Sequence, residues 1–535
     1  MQVFQKIHFD KKIPVLIFII CFTVFVFSND GHRYTFDEDV AYQQSFRIAT
    51  WENDPSYIQG ESRPFFEYPY LFPHDLPIYQ GRPLCENGIL CSQASIIHSV
   101  TQAPFIFLNH TFNFISDEIK WDFEEFNDHH YVSWRNSENP DFIFLELFYG
   151  PLFTALSVSV LFLICRSFGI SLKNSILVSF IYGFSTVAWA YSQTSLNSPV
   201  EIFFALLAYY FFRRWNINNS PRYLLLSGIC FGFAFLTRPD AVLIIIPVFF
   251  FILYLIMTPD GKLLPVLRTR KQKIKSLLGF MIPTFSAYGI YHLISFIRVG
   301  TGRVGEGITG SIYYSGKSPA FAEHAFGFFF SPGAGLFVFS PVLISIFVGF
   351  FDFYKKNKSE CILLIVLVLM FIFQFARGDY WHGFSGWSVR YFLPLVPFFM
   401  IPIAFSLENR GIVFKLTLII LGVLGFFINL VYILQDVHWF VWGLVGDDSR
   451  GLYSFARKED GGVWPIWVNP LIIWSFEYNQ LTQSVMWIFG KLQVDIWLLK
   501  LLGIQTYIIA FLSLLVIPIY LLRNIYYKTK LAKPL

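Results

Sequence analysis

The chain has 535 residues, of which 55% are hydrophobic, 20% aromatic and only 14% charged, with a formal net charge of +4. So apolar a composition excludes an ordinary soluble globular protein, and so small a net charge gives no argument for nucleic-acid binding. The expected fold class is an all-α integral membrane protein, in which Lys and Arg should mark the cytoplasmic links between spans.

Lys6, Lys11 and Lys12 precede an apolar run from Ile13 to Phe27. The run resembles a signal peptide, but Phe27-Ser28-Asn29-Asp30 lacks the small-x-small pattern of a cleavage site. An uncleaved first span with its N-terminus inside is therefore expected. Residues 29–141 then form a first extracytoplasmic loop, which opens on Tyr34–Trp51, YTFDEDVAYQQSFRIATW. Here Asp37, Glu38 and Asp39 fall where a helix should begin, at the bilayer edge. Thr35 with Glu38 three residues on has the form of a capping box, and acids in a first turn complement the helix dipole. The competing reading makes one of the three a catalytic base. The same loop carries Cys85 and Cys91 around CENGILC, a pair able to form a local disulfide outside the cell.

From Phe142 onward, apolar runs long enough to cross a bilayer alternate with short polar links. Spans are expected near 142–165, 174–190, 197–212, 222–237, 240–257, 276–297, 334–353, 360–376, 390–407, 411–434 and 500–522. With the first, that makes about twelve, in a range of 11–13. Alternate links are basic: Arg166 and Lys173; Arg213, Arg214 and Arg222; six cations between Lys262 and Lys275; Lys355, Lys356 and Lys358; Arg410 and Lys415; and the tail from Arg523. Both termini are accordingly expected in the cytoplasm and every long loop outside. The whole chain, 1–535, reads as one membrane domain: the first outer loop, a helix bundle over 142–434, a last outer loop over 435–499, and a final span with its tail over 500–535. Within the last loop, Val463–Phe476 (VWPIWVNPLIIWSF) is too short and too proline-broken to span, and suits an interfacial helix or re-entrant piece. Cys21, Cys165, Cys230 and Cys361 fall inside spans as small buried apolar residues, and no Cys/His spacing suits a metal.

The outer face gathers the chemistry. Arg238 stands in a tight hairpin, Thr237-Arg238-Pro239-Asp240; Arg298 and Arg303 follow a span; Arg377 and Arg390 bracket a tryptophan-glycine loop. Arginines at helix ends commonly snorkel to the interface, but Arg238 and Arg390 lie directly between apolar runs, where burial costs most. A carboxylate facing arginines at headgroup depth suits a substrate with a phosphate in the headgroup layer and a lipid tail below. The carboxylate takes the proton of an attacking hydroxyl, and the arginines hold the departing phosphate. Trp381 and Trp387 are by default interfacial belt residues, and the outer-loop histidines have no ligand spacing, with His382 the one to watch. Tyr42, Trp381, His382 and Tyr391 are the candidates for lining a substrate cavity. The clustered acids permit a divalent cation without requiring one, and no metal ligand set or other cofactor is assigned.

The acidic pair in the first outer loop, Leu236-Thr237-Arg238-Pro239, the run Phe328–Pro341 (FFFSPGAGLFVFSP) and Trp381–Pro397 (WHGFSGWSVRYFLPLVP) together resemble the GT-C superfamily of polytopic glycosyltransferases. The likeness is greatest to its protein O-mannosyltransferase and aminoarabinose-transferase branch. It implies a sugar transferase that uses a polyprenyl- or dolichyl-phosphate donor, acts on a protein, lipid or glycan acceptor, and inverts the anomeric carbon in one displacement. By resemblance, Asp37 is the base, Glu38 or Asp39 its substitute or an acceptor orienter, and Arg390, with Arg238, the phosphate contact. The aminoarabinose branch has a first-loop lysine near the phosphate that finds no match here; Arg63 and Arg82 are the candidates in its place. The soluble sugar-binding insertion of mannosyltransferase relatives is also missing. The rival readings are a twelve-span secondary transporter, which should carry ionisable groups at the midplane, and a lipid-linked oligosaccharide ligase or polymerase, which should carry its main loop late in the chain.

Overall fold

The computed structural model describes residues 12–31, 38, 41–42, 45, 48–49, 95–116, 143–257, 270–299, 320–378, 381–383, 386–435, 470–491, 494 and 496–531. Every regular element among them is helical. The order is α1 (Lys12–Phe27), α2 (Ile96–Ser116), α3 (Ile143–Ser167), α4 (Leu172–Ser185), the short α5 (Ala188–Tyr191), α6 (Ser198–Asn218) and α7 (Pro221–Thr237). A 3-10 turn leads into α8 (Val242–Met257), and α9 (Arg270–Val299) and α10 (Phe321–Phe330) follow. Next come α11 (Leu336–Phe339), α12 (Ile346–Lys356), α13 (Lys358–Phe375), α14 (Val396–Asn409) and α15 (Ile412–Leu434). The last are α16 (Pro470–Trp474), α17 (Gln480–Lys491) and α18 (Trp497–Leu531).

Among the described residues, seven helical stretches are long and apolar enough to cross a membrane: Phe144–Ser167, Pro239–Met257, Gln272–Ile294, Lys358–Phe375, Arg390–Asn409, Ile412–Leu434 and Trp497–Tyr527. Lys12–Phe27 and Pro221–Thr237 are shorter apolar helices. These runs are apolar on every face, so each needs either lipid or other helices around it. Arg390–Asn409 is 89% buried and forms the middle of the bundle, whereas Trp497–Tyr527 is 11% buried and lies at its margin. Helix α18 packs on α1, α1 on α3, α3 on α6, α6 on α7, and α7 on α9; α14 packs on α12 and α4, and α15 on α4.

One end of the bundle is stitched by charge. Arg410 grips Asp352 with two bonds of 2.7 and 2.9 Å, Lys356 donates to Asn409 at 2.6 Å, and Glu408 accepts from Ser171 (2.7 Å) and Asn174 (2.6 Å). Arg213 pairs with Glu360 at 2.5 Å and lies over the Phe168 ring. The links joined this way are those whose basic residues the sequence assigns to the cytoplasm.

At the other end two expected spans are interrupted, and the interruptions meet. The run over 174–190 leaves the helix after Ser185, and Val187 N–H then donates to the Ser340 hydroxyl at 3.0 Å. The run over 334–353 breaks into α11, a 3-10 turn at Pro341–Ser345, and α12. Pro341 lacks the N–H that would continue a helix, and Ser340 supplies the partner for the amide freed in the other chain segment. The run beginning at Arg390 likewise starts as a 3-10 turn around Pro394. Between α5 and α6 the backbone presses onto α3 so closely that a Cβ on Gly150 would fall into the Ser192 and Thr194 carbonyl oxygens. Gly150→Val is expected to lower the thermal unfolding temperature of the detergent-solubilised protein strongly, because overpacking against backbone costs about 1–3 kcal/mol or more.

Candidate functional site

The segment between α5 and α6 organises the site, because four distant parts of the chain fasten to it. Trp189 Nε1 donates to the Ser28 hydroxyl at 3.0 Å and Gln193 Nε2 to the Ser28 carbonyl at 2.6 Å, which ties it to the exit of α1. Ser195 meets Glu38, Ser198 meets the hairpin of Arg238, and Tyr191 meets the tryptophan-glycine loop.

On the acidic side, Glu38 is fully buried, and its Oε1 accepts the Ser195 N–H at 2.7 Å and the Ser195 hydroxyl at 3.2 Å. The Ser195 carbonyl in turn receives Gln102 Nε2 at 2.8 Å and faces His98 Nε2 at 2.8 Å, both on α2. The Ser45 hydroxyl donates to Gln102 Oε1 at 2.7 Å. Glu38 is thus fastened to the α5–α6 segment. Replacing it by leucine leaves the Ser195 amide without its acceptor, a loss of about 1–3 kcal/mol. Glu38→Gln keeps an acceptor oxygen and should lose less, a difference that thermal unfolding of the two variants reads.

On the cationic side, Pro239 disfavours a helical conformation at the residue before it, and Arg238 is extended (φ −153°, ψ 119°) between two helices. Its side chain turns back into the bundle, 8% exposed. Its Nε donates to Asp240 at 2.9 Å, Nη1 donates to the Ser198 hydroxyl at 3.2 Å and reaches Glu201 at 3.7 Å, and the guanidinium lies 5.4 Å from the centre of the Tyr391 ring. Burial opposes its charge, but the Asp240 and Glu201 carboxylates outweigh burial and raise its pKa above the ordinary guanidinium value. Arg390 opens the 3-10 turn, and its N–H closes the preceding loop onto the His382 carbonyl at 3.2 Å. Gly383, at φ +84°, allows that closure, since a Cβ there would come 2.7 Å from Arg390 Cβ.

The two sides are joined through a pair of tyrosines. Tyr191 lies within electrostatic reach of both Arg390 and Arg238. Tyr432, at the end of α15, interacts with Asp30, Tyr191 and Glu38. Buried acids and buried or half-buried cations therefore act electrostatically on one pair of tyrosines, and such groups can remove a proton at one point and hold an anion at another. Among the described residues no group of three or more His, Cys, Asp or Glu side chains could hold a metal ion.

The structure gathers Glu38, Arg238, Arg390 and Tyr391 at this end of the bundle. Asp37, Asp39, Arg63, Arg82, Arg303, Cys85 and Cys91 lie outside the described residues, as does the side chain of Arg298. Tyr42 sits in a small apolar cluster with Ile106, Leu145, Tyr149, Phe153 and Val200. Arg377 is exposed over the Phe373 ring. Trp381 and Trp387 are not belt residues: they are 3% and 1% exposed. Trp381 packs on Phe328 and Trp474, and Trp387 on Phe339 and Tyr432. The loop between Arg377 and Arg390 folds into the bundle and takes both indoles with it. His382 is buried, its ring edge-on to Trp381. The stretch around Ile473 is a short helix, fastened by its carbonyl to Ser331 Oγ and Gly333 N–H at 2.6 and 2.9 Å.

Sequence reasoning missed Asp30, Tyr191, Ser195 and Glu201. Only Glu201 carried a signal, a carboxylate inside an apolar run; it is fully buried, and neither of its oxygens has a hydrogen-bonding partner among the described residues.

The family model described as dolichyl-phosphate-mannose-protein mannosyltransferase matches residues 147–288. No curated protein matches the chain. Among solved structures, it is similar to the oligosaccharyltransferase AglB of Archaeoglobus fulgidus in complex with an inhibitory peptide and a dolichol-phosphate, at 12% identity and a TM-score of 0.42, over 83% of this chain and 58% of that one. A second structure, the Archaeoglobus fulgidus oligosaccharyltransferase tethered to an acceptor peptide, gives 12% identity and a TM-score of 0.37 over 95% and 55%. The chain thus spans less than three fifths of the length of either. The matched segment holds Tyr191, Ser195, Glu201 and Arg238.

Proposed function

We propose that this protein transfers a sugar from a polyprenyl- or dolichyl-phosphate donor to a protein, lipid or glycan acceptor on the extracytoplasmic face of the cell membrane. Asp37 takes the proton of the acceptor hydroxyl, whose oxygen attacks the anomeric carbon from the side away from the phosphate. The bond from that carbon to the phosphate oxygen breaks with its electron pair, and Arg238 and Arg390 receive the departing lipid phosphate. Configuration inverts. Glu38, pinned by Ser195, sets the position of the acidic turn, and Tyr391 supports the Arg238 guanidinium from beneath. Arg63 and Arg82 are further phosphate contacts offered by the first outer loop, and Trp381 and His382 shape the wall behind Arg390.

The observation that carries this reading is that one segment, 191–198, fastens Glu38 through Ser195, Arg238 through Ser198, and the loop that Arg390 closes through Tyr191. The description of the matching family, a transferase fed by dolichyl-phosphate mannose, fits that chemistry. Topology follows the charges, with about twelve spans, both termini in the cytoplasm and the site outside. In support, α18 runs back along α1: Trp497 N–H donates to the Asn29 carbonyl at 3.0 Å and Tyr507 OH to the Phe27 carbonyl at 2.6 Å, so the outer ends of the first and last helices meet. A transporter would instead concentrate ionisable groups along a midplane path.

The test is an in vitro panel of polyprenyl-phosphate and nucleotide sugars given to the purified protein in lipid. Sugar release from a lipid-phosphate donor supports the assignment; release from nucleotide sugars alone, or from none, would end it.

A further inference from the structure

Tyr191 closes the short helix α5, and its hydroxyl is buried without a hydrogen-bonding partner among the described residues. Native structures rarely leave a buried phenol so, and such a group asks for a role. A close approach says where the hydroxyl points. A Cβ on Gly386 would collide with it, so the second glycine of the Trp-His-Gly-Phe-Ser-Gly loop leaves room for this oxygen. Both Arg390 and Arg238 act on it electrostatically, and Tyr432, which feels Glu38 and Asp30, feels Tyr191 too. The hydroxyl therefore lies against the loop that Arg390 closes, where the bond from sugar to phosphate must lie if the proposed function holds.

We infer that Tyr191 is a catalytic residue whose O–H donates a hydrogen bond to a non-bridging oxygen of the departing lipid phosphate. The inference rests on the transferase reading and adds a neutral donor to its two cations. No proton leaves the tyrosine. As the carbon–oxygen bond breaks, its electron pair passes to the phosphate, whose charge grows; the hydrogen bond to it shortens, while the acceptor's proton goes to Asp37 as before. A donor that strengthens only as charge develops lowers the barrier more than it tightens binding.

Tyr191→Phe removes one oxygen and keeps the ring. The expected result is a fall in kcat of about 100-fold with little change in donor KM, measured with whichever lipid-phosphate sugar the wild type uses. Gly386→Ala should also lower kcat by pushing the hydroxyl aside, but should add little in a Tyr191→Phe background, where nothing remains to be displaced. Equal thermal unfolding temperatures of the three variants and the wild type exclude a folding defect as the cause. Wild-type kcat in Tyr191→Phe, or losses that simply multiply in the double variant, would overturn the role of the tyrosine while the transferase assignment stands. A wild type that uses no lipid-phosphate donor would overturn both.

Discussion

Arg238→Ala is expected to unfold readily and to be inactive, and the two effects have separable causes. The side chain is 8% exposed and holds Asp240 at 2.9 Å and Glu201 at 3.7 Å. Removing it leaves the fully buried Glu201 and the half-buried Asp240 without that counter-charge, and breaking a buried pair from one side costs about 3–5 kcal/mol. The loss of activity arises elsewhere, from the missing phosphate contact, and should be about 10²–10³-fold. A variant with Arg238→Leu, Glu201→Gln and Asp240→Asn together removes the stranded charges; it should recover thermal stability in detergent and remain inactive. Arg238→Lys keeps a charge but loses the fork that spans Asp240 and Ser198 and the flat face over Tyr391, and so should fold yet transfer sugar slowly. A triple variant as active as wild type would show Arg238 to be a structural group alone.

Asp37→Asn is expected to lower the transfer rate by about 10²–10⁴-fold, the range over which a positioned general base acts, with membrane insertion and unfolding temperature unchanged. The neighbouring Glu38 should be a poor substitute, because its Oε1 already accepts from the Ser195 amide and hydroxyl. The same commitment makes Glu38→Gln the informative control: it keeps the anchor and should keep most of the activity. If instead Glu38→Gln is dead and Asp37→Asn is active, the base is Glu38 and the first-loop register shifts by one.

The helices were legible wherever an apolar run ends on charge. Expected spans at 222–237 and 411–434 correspond to Pro221–Thr237 and Ile412–Leu434, since hydropathy and basic links report the same boundary. Hydropathy failed at 334–353, where Val187 N–H and Ser340 Oγ make a bond between residues 153 apart that lets both runs break. It also misjudged Trp381 and Trp387, because a tryptophan between polar residues reads the same whether its loop lies on the bilayer surface or folds inward. Of the site, the charged groups Glu38, Arg238 and Arg390 stood out in the sequence. Tyr191 and Ser195 did not, being ordinary polar residues at the edge of apolar runs. Their part comes only from the fold, which brings residue 38 to residue 195 and residue 386 to residue 191.

On the proposed mechanism a first-loop acid and the two arginines, Arg238 buried and Arg390 half-buried, serve one bound donor in different ways. Separating donor binding from single-turnover transfer tests it most directly, with purified wild type, Asp37→Asn and Arg238→Lys and a radiolabelled polyprenyl-phosphate sugar. Asp37→Asn should bind the donor as tightly as wild type and fail to turn it over, whereas Arg238→Lys should bind it weakly. Equal binding and equal turnover in all three proteins would contradict the account.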